Sequence, residues 1–254
     1  ADLSSLSPDA WWRMGDGDYY RVLHDAAATD TTALFLPAVG HNYASIPDSS
    51  DLDGFDDFTL QVDDVTVDNW APSGQYTFIS KYGGGNNAYI FWLVGGKLRL
   101  EVSFNGSADS IYTSTVTTGL SSGDTASLRV SRTGSTIRFY IDTGSGWVQN
   151  GEDIAGASTT MYAGSQNVHI GVYGDSAGPL LGSLSRARIW SDATQSTNVL
   201  DANFALATKG APSFTATSGQ TVTINTTAIA NPAVIRGATD GVIVNDAALR
   251  ADTP

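Results

Sequence analysis

The sequence predicts an all-β protein: an antiparallel two-sheet sandwich of jelly-roll type with a β-rich C-terminal extension. Three observations carry this. Apolar and polar residues alternate with a period of two in several separate stretches, Gly, Asn and Asp punctuate them, and no stretch sustains helical periodicity. The composition agrees. Of the 26 acidic residues all but Glu101 and Glu152 are aspartate, and 27 residues are glycine. Aspartate and glycine favour tight turns, whereas glutamate favours helix interiors. A chain of 254 residues suffices for one large β domain or two small ones.

The elements follow in order. Phe58, Leu60 and Val62 alternate with Thr59 and Gln61 and predict a strand. The Asp63-Asp64 pair then shifts the phase before Val65 and Val67, as a β-bulge does. Tyr89 to Val94 is apolar on both faces and reads as a central strand. Gly95-Gly96 suit a two-residue hairpin turn, after which Leu98, Leu100, Val102 and Phe104 alternate with Lys97, Arg99, Glu101 and Ser103. Leu128 and Val130 lead through Thr133-Gly134 into Ile137, Phe139 and Ile141. Val168, Ile170 and Val172 alternate with His169, Gly171 and Tyr173. Residues 191–202 offer one short helix, capped by Ser191 or Asp192. The composition changes near 204–213, which divides the chain into a 1–203 domain and a 204–254 extension. Residues 221–225 and 242–244 of the extension read as strands. Val222, Ile224, Val234, Ile235, Val242, Ile243 and Val244 are the apolar groups it can bury, either as edge strands or by docking on another protein.

Charge excludes some functions. A net charge of −13 with 13 scattered basic residues disfavours nucleic acid and anionic membrane surfaces. No apolar run approaches the length of a membrane-spanning helix. The N-terminal ADLSSLSPDA lacks the basic and apolar regions of a signal peptide. With no cysteine there is no disulfide and no thiol chemistry, which fits synthesis in a reducing compartment.

Two loops are candidate sites. Residues 48–57 carry Asp48, Asp51, Asp53, Asp56 and Asp57 with no basic residue. They read either as a capping loop or as a calcium loop of its own kind, since the spacing fails the EF-hand pattern. The loop Gly83-Gly84-Gly85-Asn86-Asn87 lies between Tyr82 and Tyr89. Glycines let backbone approach a ligand closely, and planar rings with amide side chains suit sugar recognition. Tyr82, Asn86, Asn87 and Tyr89 are therefore the candidate ligand-binding residues. Glu101 lies two residues from Arg99 on the same strand face and reads as one member of a cross-strand pair on a wet face. Trp92 and Trp190 read as core, and Trp70 and Trp147 as loop anchors or half-buried pins. His24, His41 and His169 have no zinc-site spacing. The two glutamates, Glu101 and Glu152, form no run resembling the Glu-x-Asp-x-x-Glu of glucanases on a jelly-roll fold. No catalytic residue, metal or cofactor is assigned.

Three stretches together resemble the laminin G-like (concanavalin A-like) jelly-roll superfamily: LFLPAVGHNYASIPDSSDLDGFDDFTLQVDDV (34–65), FISKYGGGNNAYIFWLVGGKLRLEVS (78–103) and LLGSLSRARIW (180–190). The resemblance spans residues 11–203. In calcium-binding members an acidic ligand lies where this chain has Asn87, and the partner loop matches Ala163 to Gln166, which has no aspartate. The resemblance thus implies weak support for calcium. YRVLHDAAATDTTALFLPAVGHNYASIPD and DNWAPSGQYTFISKY, with the Thr-rich tail, also resemble minor tail proteins of actinobacterial bacteriophages. That likeness implies a non-enzymatic virion structural or adhesion protein, made in the bacterial cytoplasm and binding host-surface glycan. Its partners would be other virion proteins or copies of itself, reached through the extension. The alternative is a carbohydrate-binding module of a secreted bacterial protein.

Overall fold

The computed structural model describes residues 22–23, 32–38, 41–174, 176–208, 210–226, 234–237 and 241–242, without the side chains of 22–23, 234–237 and 241–242. The N-terminal leader question, His24, Trp11, Trp12, Ile243 and Val244 lie outside the described residues.

The described strands form two antiparallel sheets of a jelly-roll sandwich. The first sheet runs Val148–Gln149, Thr136–Asp142, Thr125–Thr133, Phe58–Val67, Leu181–Leu184, Thr32–Pro37, Val234–Gly237. Arg186–Trp190 continues along the same edge of Phe58–Val67 and pairs in turn with Asn198–Asn203. The second sheet runs Ser213–Thr215, Thr221–Asn225, Tyr43–Ile46, Val168–Ile170, Gln75–Lys81, Tyr89–Val94, Lys97–Ser103, Asp109–Thr113. A separate ladder pairs Val22–Leu23 with Gly241–Val242.

The period-two pattern explains the layers. Leu60, Val62, Val130, Phe139 and Ile189 of the first sheet are buried and meet Phe78, Phe91, Leu98, Leu100 and Ile170 of the second in one core cluster. Phe78 and Phe91 pack with ring centroids 5.4 Å apart. Each such side chain contributes about 1.5–3 kcal/mol by leaving water. The Gly95-Gly96 turn has φ of 55° and 82°, the left-handed pair that a two-residue hairpin requires. The bulge also forms: the register shifts between Val62 and Val65, and Asp64 has φ 50°.

Two expectations are corrected. Residues 191–202 form no helix. Asp192 accepts hydrogen bonds from the Ser196 and Thr197 N–H groups at 3.1 and 2.7 Å, which closes a turn, and Asn198–Asn203 then runs back along Arg186–Trp190. The capping aspartate is real, but a strand waiting for its partner outweighs helix propensity. The strand at 168–172 stops at Ile170, where Gly171 turns with φ 98° and donates its N–H to the Phe78 carbonyl at 3.2 Å.

The chain carries its core across the 203/204 boundary. Phe204 is fully buried and meets Phe214 edge-on with centroids 5.4 Å apart. Thr221–Asn225 pairs with Tyr43–Ile46, and Val222 and Ile224 join the core cluster. Of the two roles open to the extension, its described residues 213–225 take that of edge strands. Ending the chain after Phe204 would uncover Ala44 and Ile46 and strip the edge of the second sheet. The expected outcome is a melting temperature lower by about 10 °C or more, or loss of the cooperative transition, in thermal circular dichroism.

Candidate functional site

The strand Gln75–Lys81 ends at a rim where successive residues face opposite ways. Lys81 points inward and is fully buried. Its ammonium pairs with Asp48, lies 3.1 Å from Asp53 Oδ2 and donates to the Gln166 carbonyl at 2.5 Å. The ammonium thus hydrogen-bonds Asp48 and the Gln166 carbonyl and pairs by charge with Asp53, whose buried Oδ2 has no hydrogen-bond partner among the described residues. Burial holds the Asp53 carboxyl above the usual range despite the attraction of Lys81. The other aspartates of the loop hold its ends. Asp56 accepts from the Thr160 hydroxyl at 2.5 Å and Asp57 from the Gly134 N–H at 2.6 Å. The cluster at 48–57 is therefore a structural loop clamped on an internal cation.

Tyr82 points outward. Its hydroxyl donates to Asp109 Oδ2 at 2.7 Å, and its ring meets Tyr173 edge-on at 5.6 Å. Tyr173 in turn meets Trp92 edge-on at 5.7 Å and accepts from Gln75 Nε2 at 3.0 Å. The Arg99 guanidinium lies 5.8 Å from the Trp92 ring centre, and Arg99 Nε donates to Thr113 Oγ1 at 3.1 Å. Asn87 Nδ2 reaches both Asp109 carboxylate oxygens at 3.3–3.4 Å. Glu101 lies beneath this group, within hydrogen-bonding range of Asp109 and Tyr82. Beside it stands Ile111, its partner in the register, 56% exposed. The result is an aromatic-and-carboxylate patch on the outer face of the second sheet. Asp109 is exposed, and Tyr82, Arg99 and Tyr173 are half-buried.

Three of the four candidate residues come to this rim. Tyr82 and Asn87 join Asp109 directly, and Asn86 sits in the turn closed by its N–H to the Gly83 carbonyl at 3.0 Å. Tyr89 is a correction. It is fully buried, its hydroxyl donates to the Leu52 carbonyl at 3.1 Å, and it holds the 48–57 loop from below. Period two explains it: Tyr89 stands opposite the inward Lys81 in the register, whereas Tyr82 follows one residue past the strand end and falls outward. Glu101 is a second correction, since it is 7% exposed and engages Asp109 and Tyr82 more strongly than Arg99. Trp92 and Trp190 are buried, yet they lie on the outer sheet faces and outside the inter-sheet cluster. Trp70 is neither exposed nor half-buried: at 1% exposure it is core, its Nε1 bound to the Asp124 carbonyl at 3.2 Å. Sequence reading missed Asp109 and Tyr173, because neither carries a motif and only the fold brings them to Tyr82.

Hydrolase elements are not assembled among the described residues. The Gly-x-Ser-x-Gly stretch 119–123 lies between the strands Asp109–Thr113 and Thr125–Thr133 and precedes no helix of the nucleophile-elbow type. No group of three or more His, Asp or Glu side chains suited to a metal ion occurs among the described residues. The Asn87 amide, at the position where the resemblance implies a calcium ligand, is turned to Asp109.

No protein-family model matches the chain, and no curated protein matches it. Solved structures of similar shape include the heptameric SAP-like pentraxin of Limulus polyphemus, at 14% identity and TM-score 0.47, covering 66% of this chain and 79% of that one. Domains LG4-5 of the mouse laminin α1 chain match at 14% identity and TM-score 0.44, covering 63% of this chain and 41% of that one. The CBM40 of a Ruminococcus gnavus IT-sialidase, bound to α2,3 sialyllactose, matches at 11% identity and TM-score 0.40, covering 62% and 93%.

Replacing Lys81 by Met leaves two carboxylates facing each other at a buried rim. The expected cost is about 3–5 kcal/mol, read from urea unfolding. Because the ammonium already fills the rim, EDTA or millimolar calcium should move the wild-type melting temperature by no more than a few degrees.

Burial first, and the Asp109 carboxylate second, push the Glu101 carboxyl up from 4.5 to about 6. The folded chain therefore holds a proton that the unfolded chain releases as pH rises from 4.5 to about 6, so stability falls through that window. Glu101→Gln should flatten this decline and raise the melting temperature at pH 7 by about 2–4 °C.

Proposed function

We propose that this chain is a glycan-binding jelly roll that holds a neutral sugar on the Tyr82–Asp109 patch without cleaving it. One observation carries the reading: exposed Asp109, anchored by Tyr82 and Asn87, stands beside a half-buried aromatic group and an exposed Ile111. Carboxylates accept sugar hydroxyls through charge-assisted hydrogen bonds, and the rings and Ile111 offer apolar surface to the C–H face of a pyranose. The Asp109 charge acts on the Glu101 carboxyl, and we read the two as part of one binding surface.

The biological setting we assign is a minor tail or adhesion protein of a bacteriophage virion, on the strength of the sequence likeness in 20–48 and 68–82. In that reading the glycan is on the host surface. Other virion proteins or further copies would be met at the free edge of Ser213–Thr215, the outermost described strand of the second sheet. Tail genes flanking this gene would support the setting, and an upstream signal peptide would favour a secreted carbohydrate-binding module.

A panel of neutral oligosaccharides tests the binding. At least one should bind, Tyr82→Ala and Asp109→Ala should each weaken it by about ten-fold or more, and a reducing-sugar assay should stay at background. Turnover abolished by Glu101→Gln or Asp109→Asn would overturn the reading.

A further inference from the structure

The second sheet ends at the strand Asp109–Thr113, at the opposite side from Ser213–Thr215. Among the described residues this is the longest sheet edge left open. The edge strands Val148–Gln149 and Ile154–Ala155 have two residues each, Ser213–Thr215 has three and Val234–Gly237 has four. Asn198–Asn203 is longer, but residues 217–220 cover it. The Thr217 N–H donates to the Asp201 carbonyl at 2.9 Å, and Gln220 Nε2 to the Val199 carbonyl at 2.8 Å.

The neighbours of the open strand fix where its backbone groups point. The Ser114 N–H donates to the Leu98 carbonyl at 2.8 Å. Ser103, opposite Asp109, turns its N–H to the Ala88 carbonyl at 2.8 Å and its own carbonyl to the Tyr162 N–H at 3.0 Å. Hydrogen-bonded pairs alternate along an antiparallel ladder. Ser110 and Tyr112 therefore face Lys97–Ser103, and the N–H and C=O groups of Asp109, Ile111 and Thr113 face the open edge. Natural edges are usually blunted by lysine, proline or a bulge. This one has none of them: it reads DSIYT, and its register to Lys97–Ser103 runs without a shift.

Apolar surface gathers on the same flank of the sandwich. The exposed large apolar side chains among the described residues are Ile111, Val116, Val148 and Leu206, and the first three lie here. Thr115 joins the two sheets at this flank. Its hydroxyl accepts from the Glu152 N–H at 3.0 Å, which brings the segment after Val148 against the segment around Val116.

The edge is also complementary to itself. When it is laid antiparallel on a second copy about a twofold axis at Ile111, Ile111 meets Ile111 and Asp109 meets Thr113. Arg99 stands behind Thr113, with its Nε donating to the Thr113 hydroxyl at 3.1 Å. No carboxylate is ion-paired with Arg99 among the described residues. Each copy's Asp109 thus comes to the Arg99 side of the other, and like charge does not meet like. A chain of net charge −13 repels its copies in most other orientations, so this local match selects the register.

We propose that the Asp109–Thr113 edge pairs with the same edge of a second copy, joining the two second sheets into one across a twofold axis. The two Tyr82–Asp109 patches then lie on one continuous face, with the paired Ile111 side chains between them. The pairing does not depend on what those patches bind. The edge is short, so the dimer is weak, with a dissociation constant in the micromolar range.

Sedimentation velocity of the full chain over a concentration series should show monomer giving way to dimer. Ile111→Pro removes an N–H that the chain's own ladder does not use, so it spares the fold and should weaken the dimer by about ten-fold or more. The chain has no cysteine, so Ile111→Cys introduces a single thiol. Two such thiols facing across the axis lie within disulfide reach. Oxidation should link them faster than it links Ser213→Cys, placed on the opposite edge of the sheet. Ile111→Cys is a small change on an exposed position, so it reports even if Ile111→Pro fails to fold. A chain that stays monomeric at high micromolar concentration, a dimer that persists in folded Ile111→Pro, or equal linking of Ile111→Cys and Ser213→Cys would each overturn the proposal.

Discussion

The buried ammonium of Lys81 is the constraint on which the rim of this sandwich depends. A charge taken fully out of water is tolerable only when its protons find oxygens and the net charge is cancelled. Asp48 and Asp53 supply the charge, and the Gln166 carbonyl completes the set. Meeting that demand draws three separate stretches together: the loop after Tyr43–Ile46, the end of Gln75–Lys81 and the segment before Val168–Ile170. Once Lys81 is fixed inward, the next residue, Tyr82, must face out. The glycine-rich turn that follows is then suspended from a rigid strand end, and Tyr89 holds the neighbouring 48–57 loop through Leu52.

The outward patch inherits its order from that pin. Tyr82 meets Asp109 across the width of the second sheet, and Tyr173 is delivered by the turn that Gly171 initiates. Burial first and the Asp109 charge second raise the Glu101 titration, while Asp109 itself stays exposed. Functional sites often keep such local conflict where the fold can over-determine it.

Much of the fold was legible because its signals are local. The Gly95-Gly96 turn, the phase shift at Asp63-Asp64 and the alternation in Leu98 to Val102 each need only a few neighbouring residues, and each formed as read. Signals shared by two structures failed. An aspartate before a polar run caps a helix or closes a turn equally well, and Asp192 does the second. Long-range pairings were invisible: Lys81 is 33 residues from Asp48 and 85 from Gln166. The loop of aspartates could therefore not be assigned to an internal cation from its own composition. Tyr82 and Asn87 were found through the glycines beside them. Tyr89 was included by the same reasoning and excluded by strand phase, which the loop between the two tyrosines obscures.

The most direct test of the central claim, that the Lys81-anchored Tyr82 turn and Asp109 form one sugar-binding surface, is a residue-resolved amide NMR titration with a bound neutral oligosaccharide. The account predicts shifts concentrated at 82–87, 99–101 and 109–111, with the 48–53 loop following through Lys81. Shifts confined to the first sheet, with the 82–87 turn silent, would contradict it.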